Sequence, residues 1–221
     1  MHARALSIAH RGMPRAFREN TLPSFDAAIS AGADGIELDV HATSDGVVVV
    51  HHDDEVPGAG AIAGLTWDVL RRAELGSGAR IPTLNDVCVL AGDRVELFVE
   101  IKGAGIERPV LDVLRAHRGR VAIHSFDHAL IARIAASGSS CRLGLLLERE
   151  TADVAALMRE HGARDVWPHH SLATPQLVGA VHRAGGRAIA WTVNDRALAS
   201  RLTSFHIDGL CTDDVRLLVA S

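Results

Sequence analysis

Short runs of aliphatic and β-branched residues alternate along the chain with longer stretches whose apolar positions recur every three to four residues, the two periodicities of strand and helix. The strand-like runs fall at Leu6 to Ala9, Gly35 to Val40, Leu97 to Ile101, Val121 to His124, Arg142 to Leu147, Asp165 to Trp167, Arg187 to Thr192 and Gly209 to Thr212. Helical spacing is carried by Leu22 to Ala31, Val110 to His117, Ala129 to Ala136, Val154 to His161, Pro175 to Ala184 and Arg196 to Thr203. Strands that alternate with helices pair in parallel through right-handed crossovers, and eight such strands close on themselves. The pattern therefore predicts an α/β fold of the (β/α)8 TIM barrel type.

A doubly wound open sheet is the architectural competitor, and it announces itself through a glycine-rich first turn. The turn after the first strand, His10-Arg11-Gly12-Met13, is no dinucleotide fingerprint, and Gly58, Gly60 and Gly64 have the wrong spacing and open no clear helix. One segment departs from the rhythm. Between Val47 and Leu84 the chain runs through an apolar stretch ending in His51-His52-Asp53-Asp54, a loop of small residues, and a short helix near Trp67 to Ala73. It reads as an excursion between the second and third strands of a single-domain barrel.

Composition narrows the function. With 221 residues, 48% of them hydrophobic, the chain has material for one large core and little for a second. Lys and Arg number 23 against 27 Asp and Glu, interspersed without blocks, and the net charge of −4 leaves no basic stripe to neutralise a phosphate backbone. Nucleic acid is thereby excluded as a partner class. The start of the chain lacks a leader pattern and no apolar stretch is long enough to span a bilayer. Cys88, Cys141 and Cys211 are odd in number and set in apolar sequence, which reads as reduced thiols and, with the rest, as a cytoplasmic protein.

Catalytic side chains of such a barrel gather at the C-terminal ends of its strands. There the first strand places His10 and Arg11, the second Glu37 and Asp39, and the third Glu100 and Lys102. The i, i+2 spacing turns Glu37 and Asp39 to the same side. Three carboxylates on adjacent strand ends repel one another unless a cation stands among them. An oxygen-only set suits one Mg²⁺ or Ca²⁺ ion better than zinc. A ring of salt bridges to Arg11 and Lys102 is the structural alternative. Of 13 histidines, His10 and His52 form the candidate proton-transfer pair, because an imidazole pKa near ~6.5 lets one act as base and the other as acid at neutral pH. In an extended run His51 and His52 face opposite ways, and periodicity does not decide which faces inward.

The fragments His10-Arg11-Gly12, Glu19-Asn20-Thr21, Gly32-Ala33-Asp34, Glu37-Leu38-Asp39-Val40, His52-Asp53, Pro82-Thr83-Leu84, Glu100-Ile101-Lys102, Ser125-Phe126, Trp191-Thr192-Val193-Asn194 and Thr212-Asp213 resemble, in order and spacing, the glycerophosphodiester phosphodiesterases. The resemblance implies that Glu37, Asp39 and Glu100 bind the divalent metal and that His10 and His52 are the acid and base. His52 is preferred to His51 because the family's histidine directly precedes an aspartate. Arg11 and Lys102 would contact the phosphoryl oxygens, Glu19 and Asn20 would support them, and Trp191 would wall the glycerol or alcohol part. The implied substrate is a small-molecule phosphodiester, split into sn-glycerol 3-phosphate and an alcohol by water or by the substrate's own hydroxyl. Phospholipase D-like action on lysophospholipids or sphingolipids and a non-catalytic phosphate-binding barrel are the rival readings. Two departures stand out, Arg18 where the family often has proline and Val56-Pro57-Gly58-Ala59-Gly60 after the His-Asp pair.

Overall fold

The computed structural model describes residues 4–76 and 78–218. From β1 (Leu6–His10) the chain passes through α1 (Leu22–Ser30) to β2 (Gly35–Ala42). An excursion follows, made of β3 (Val48–Val50), β4 (Glu55–Val56), β5 (Gly60–Ala61) and α2 (Trp67–Leu70). α3 (Leu84–Ala91) then leads back to β6 (Glu96–Ile101). Thereafter the alternation is unbroken: α4 (Glu107–Leu114), β7 (Val121–Ser125), α5 (His128–Ala136), β8 (Arg142–Leu147), α6 (Val154–His161), β9 (Asp165–Pro168), α7 (Pro175–Arg183), β10 (Arg187–Ala190), α8 (Arg196–Thr203) and β11 (Gly209–Thr212). β1, β2 and β6 to β11 pair in parallel, and β1 bonds to both β2 and β11, which closes the (β/α)8 barrel. β3 lies outside this ring, antiparallel to the end of β2 with Val40 opposite Val50.

The eight strands fall where the hydrophobic runs place them, except that β10 ends at Ala190 and Trp191 keeps only a bridge to His169. Helix spacing starts α4 too late, at Val110, whereas the helix begins at Glu107. Pro109 sits in the first turn, where its missing N–H has no intrahelical partner to lose. The excursion ends in α3, which the apolar pattern did not mark. Thr83 and Asp86 form a reciprocal capping box there, and Leu84, Val87, Cys88 and Ala91 are buried at helical spacing. Side chains of Asp127, Asp153, Thr174 and Asp195 cap the starts of α5, α6, α7 and α8, each accepting an N–H three residues on.

Three layers fill the barrel. At the floor, where strands begin, Arg187 pairs with Asp165 at 2.7 Å and Glu96 at 2.9 Å, and Arg142 joins from Asp165's other side. Above them lies an apolar layer that includes Ile8, Phe98, Leu146, Trp167 and Ile189, each side chain contributing on the order of 1.5–3 kcal/mol by burial. Gly35 makes room for it, since a Cβ there would lie 2.5 Å from the Phe98 ring. The mouth, at the strand C-termini, is polar. Separate apolar packing joins the barrel to its helices, and the excursion has its own small core of Val49, Val56, Ile62, Leu70 and Ile81. Among the described residues no helix is long and apolar enough to cross a membrane.

Candidate active site

The mouth encloses a cavity of about 230 Å³. One wall comes from β1, β2, β6 and the start of the excursion and presents His10, Arg11, Glu37, His52, Glu100 and Lys102. The far wall comes from β7 to β10 and presents Phe126, Leu146, Glu148, Trp167 and Trp191, with His124 between the two. The fold thus gathers His10, His52, Glu37, Glu100, Arg11, Lys102 and Trp191 around one space.

His10 closes β1, and its Nδ1 lies 2.7 Å from Asp213 Oδ1, just past the end of β11. Burial would raise the Asp213 carboxyl, but the bond and charge of His10, joined by the Asn194 bond and the charge of Arg15, together outweigh it and hold the group below the usual carboxylate range. Ionised Asp213 can only accept, so His10 Nδ1–H donates and Nε2 is left for a molecule in the cavity. Burial likewise disfavours charge on His10, while Asp213 and Glu37 more than reverse this and raise its pKa. Asn194 clamps the pair: its Nδ2 donates to Asp213 Oδ2 at 2.6 Å and its Oδ1 accepts from the Asp213 N–H at 2.9 Å and the Thr212 hydroxyl at 3.1 Å.

His52 repeats the arrangement from the excursion, with Nδ1 2.7 Å from Asp53 Oδ1. The bond from His52 keeps Asp53 below the usual carboxylate range, so His52 too donates from Nδ1. His51 is buried, bonds through Nδ1 to Asp53 O at 2.9 Å, and does not line the cavity. Geometry thereby separates the two neighbours that periodicity left open.

Arg11 and Asn20 both adopt φ of 55°, and Gly12 follows Arg11 at 88°. A Cβ on Gly12 would fall 2.3 Å from Ser24 Oγ, so only glycine lets the turn pack onto α1. The turn directs Arg11 back over the barrel, where its Nε lies 3.1 Å from Asp39 and its Nη1 3.3 Å from Glu19. Asp39 is fully buried, receives a 2.8 Å bond from Asn20 Nδ2, and has Lys102 Nζ 3.4 Å away. Asp39, Glu19 and Asn20 therefore touch the two cations or each other and do not line the cavity.

Among the described residues, Glu37, Glu100 and His124 bring one donor atom each within 4.8 Å of one another, close enough for one divalent ion to take all three. His124 is stacked on Trp167, ring centroids 4.3 Å apart, with Nε2 3.7 Å from Glu37. Burial, with Asp39 beside it, pushes Glu100 up to about 7 despite Lys102 at 3.0 Å. On Glu37, His124, His10 and Arg11 overcome the same burial and hold the carboxyl well below its usual range. Asp39 Oδ1 is buried without a hydrogen bond. A carboxyl forced toward neutrality even with Lys102 beside it registers too little positive charge, the Asp39 oxygen faces that same ammonium without accepting a hydrogen bond, and the oxygen-rich set fits a hard divalent cation.

Sequence spacing had singled out neither His124 nor Asp213 nor Glu148. His124 and Asp213 carry the same signal as the residues that were chosen, a polar side chain at the C-terminal end of a barrel strand.

Paired imidazoles beside fixed cations equip this cavity for acid–base chemistry on an anion, the work of a barrel hydrolase. Comparison with known proteins narrows that class. Residues 10–217 match the Glycerophosphoryl diester phosphodiesterase family, and the chain belongs to this family of phosphoric diester hydrolases. It is 32% identical to a glycerophosphodiester phosphodiesterase of Caldanaerobacter subterraneus subsp. tengcongensis, over 98% of this chain and 97% of that one. Among solved structures it resembles a glycerophosphodiester phosphodiesterase from Thermotoga maritima, with 27% identity, a TM-score of 0.85 and 98% of each chain covered. It also resembles an Oleispira antarctica phosphodiesterase in complex with the product sn-glycerol-3-phosphate, with 25% identity and a TM-score of 0.87 over 96% of this chain and 93% of that one.

Proposed function

We propose that the cavity hydrolyses glycerophosphodiesters to sn-glycerol 3-phosphate and an alcohol, with His10 and His52 as the proton-transfer pair. The observation that carries this reading is the convergence of two histidines, each held through Nδ1 by a carboxylate, on a cavity also lined by Arg11 and Lys102. Each imidazole is left with Nε2 for the substrate. One removes the proton from the attacking oxygen as the new P–O bond forms, and the other delivers a proton to the departing alkoxide as its P–O bond breaks. Arg11 and Lys102 face the phosphoryl oxygens, where fixed positive charge offsets the negative charge that grows in the transition state. The product held by the Oleispira antarctica phosphodiesterase supports sn-glycerol 3-phosphate as the phosphorylated product here.

Glu37 and Glu100 would hold one Mg²⁺ or Ca²⁺ ion, with Asp39 and His124 as the candidates for the next ligand. Such an ion supplies charge neutralisation and polarises a phosphoryl oxygen. Asp39 keeps the resemblance's place through an oxygen that accepts no hydrogen bond and has only the Lys102 ammonium near it, and His124 has the position within the donor group.

The test is direct. His10→Ala and His52→Ala should each lower kcat on a glycerophosphodiester by at least about a hundredfold, the lower bound for general acid–base catalysis, while divalent-ion binding, read by calorimetry, persists. A near-normal rate in either variant overturns the assignment.

A further inference from the structure

His10 and His52 are anchored in different ways. Asp213, which holds His10, directly follows β11 and so belongs to the closed ring. The carboxylate that holds His52 belongs to its own neighbour, the exposed Asp53. A neighbour in sequence fixes the rotation of the imidazole, but it travels with the same backbone and cannot set where that backbone stands over the cavity. Placement must come from contacts between this bend and the barrel.

Residues 51–54 follow β3 and belong to no helix or strand. Two imidazoles reach their carbonyls: His41 Nε2 lies 3.2 Å from His52 O, and His51 Nδ1 lies 2.9 Å from Asp53 O. A carbonyl only accepts, so both rings donate, His41 from Nε2 and His51 from Nδ1. His51 is part of the bend itself, and its N–H donates to Asp39 O at 3.0 Å. His41 comes from outside the bend. It stands on β2 beyond Glu37 and Asp39, and the alternation of a strand turns all three to one side. Its side chain is buried, which makes the ring a fixed point of the barrel, and among the described residues it is the one donor that reaches His52 O.

We infer that His41 is a positioning residue for the reaction: its Nε2–H ties the His52 backbone to the strand that carries Glu37 and thereby sets where the second imidazole stands against the phosphoryl group. The inference rests on the reading of His52 as a proton-transfer residue.

Kinetics of the full chain on glycerophosphocholine, with divalent ion present, test it through two substitutions. His41→Leu fills the space and removes the donor, whereas the amide of His41→Gln carries a donor at the place of Nε2. A displacement of about 1 Å at a reacting group costs about a hundredfold, so His41→Leu should lower kcat per folded molecule by about that factor. KM and divalent-ion affinity by calorimetry should stay within about threefold, because the lost interaction acts in the transition state. His41→Gln should recover most of the rate. In a His52→Ala background, His41→Leu should remove less than about a further twofold, since a residue that acts through His52 has nothing left to position. Imidazole nitrogen–proton correlation spectra of the wild type, with His41 assigned by its absence from His41→Gln, should show the Nε2–H tautomer, a result that does not depend on the folding of the leucine variant. The inference is overturned, with the phosphodiesterase reading intact, by a near-normal kcat in His41→Leu, by a His41→Gln variant as impaired as His41→Leu, by full additivity with His52→Ala, or by an Nδ1–H tautomer at His41. A near-normal rate in His52→Ala alone overturns the proton-transfer reading and the inference together.

Discussion

Asp213→Asn separates what the His10–Asp213 contact does from what either residue contributes by bulk. The substitution is nearly isosteric, but Asn194 restricts it. The Asn194 amide oxygen is already committed to the Asp213 N–H and the Thr212 hydroxyl, so its Nδ2 must face the side chain at 213. An asparagine there avoids a clash of two amide donors only by turning its own oxygen toward Asn194, which leaves its NH2 facing His10. His10 would then accept at Nδ1 and carry its proton on Nε2, the wrong tautomer for a base. A hydrogen bond to a charged group contributes about 1.5–3 kcal/mol, which corresponds to a loss of about 10- to 150-fold in kcat. KM should move little, because Asp213 does not line the cavity. The pH profile carries the sign. Asp213 raises the His10 pKa in the folded protein, so its neutralisation should move the His10 limb to lower pH. Initial rates on glycerophosphocholine from pH 5 to 9 measure both. A kcat within twofold of wild type, or an unmoved limb, refutes the positioning role.

Glu100 ties stability to pH in the metal-free protein. Its carboxyl is raised to about 7 in the folded state, so the stability it allows is complete below the ordinary value of 4.5 and is lost as pH rises through about 7. Thermal unfolding should show this decline in the wild type, less of it in Glu100→Gln, and recovery at pH 8 on adding Mg²⁺ or Ca²⁺ only where Glu100 is present. Arg187→Met leaves Asp165 with Arg142 alone and Glu96 with no ion pair among the described residues. It should cost about 3 kcal/mol, read as a fall of about 6–12 °C in Tm, with the rate per folded molecule unchanged. Gly35→Ala drives a Cβ against the Phe98 ring and should destabilise by about 1–3 kcal/mol in denaturant titration.

The barrel was legible because its strands are buried on both faces and so appear as uninterrupted aliphatic runs, and because catalytic residues of this architecture concentrate at strand ends. α3 was harder to see. Val87 and Val89 weaken its helical signature, and its start is marked by a capping box rather than by a long apolar stripe. In the site, the i, i+2 rule correctly set Glu37 and Asp39 on the barrel's inner side, yet could not say that Asp39 would be shared by Arg11, Lys102 and Asn20. The His10–Asp213 pair joins residues 203 positions apart, a contact made only by closing β11 onto β1. Spacing within one strand carries no trace of such a closure.

The two histidines stand on different supports. His10 ends a strand of the closed ring, whereas His52 belongs to an excursion with a small core of its own. Elements with few buried apolar contacts open at lower free energy than the frame that carries them. On the proposed reading, in which both histidines move protons, the working state is a conjunction of two folding units: loosening the excursion that carries His52 would stop turnover while the barrel, with Arg11 and Lys102 in place, stays intact.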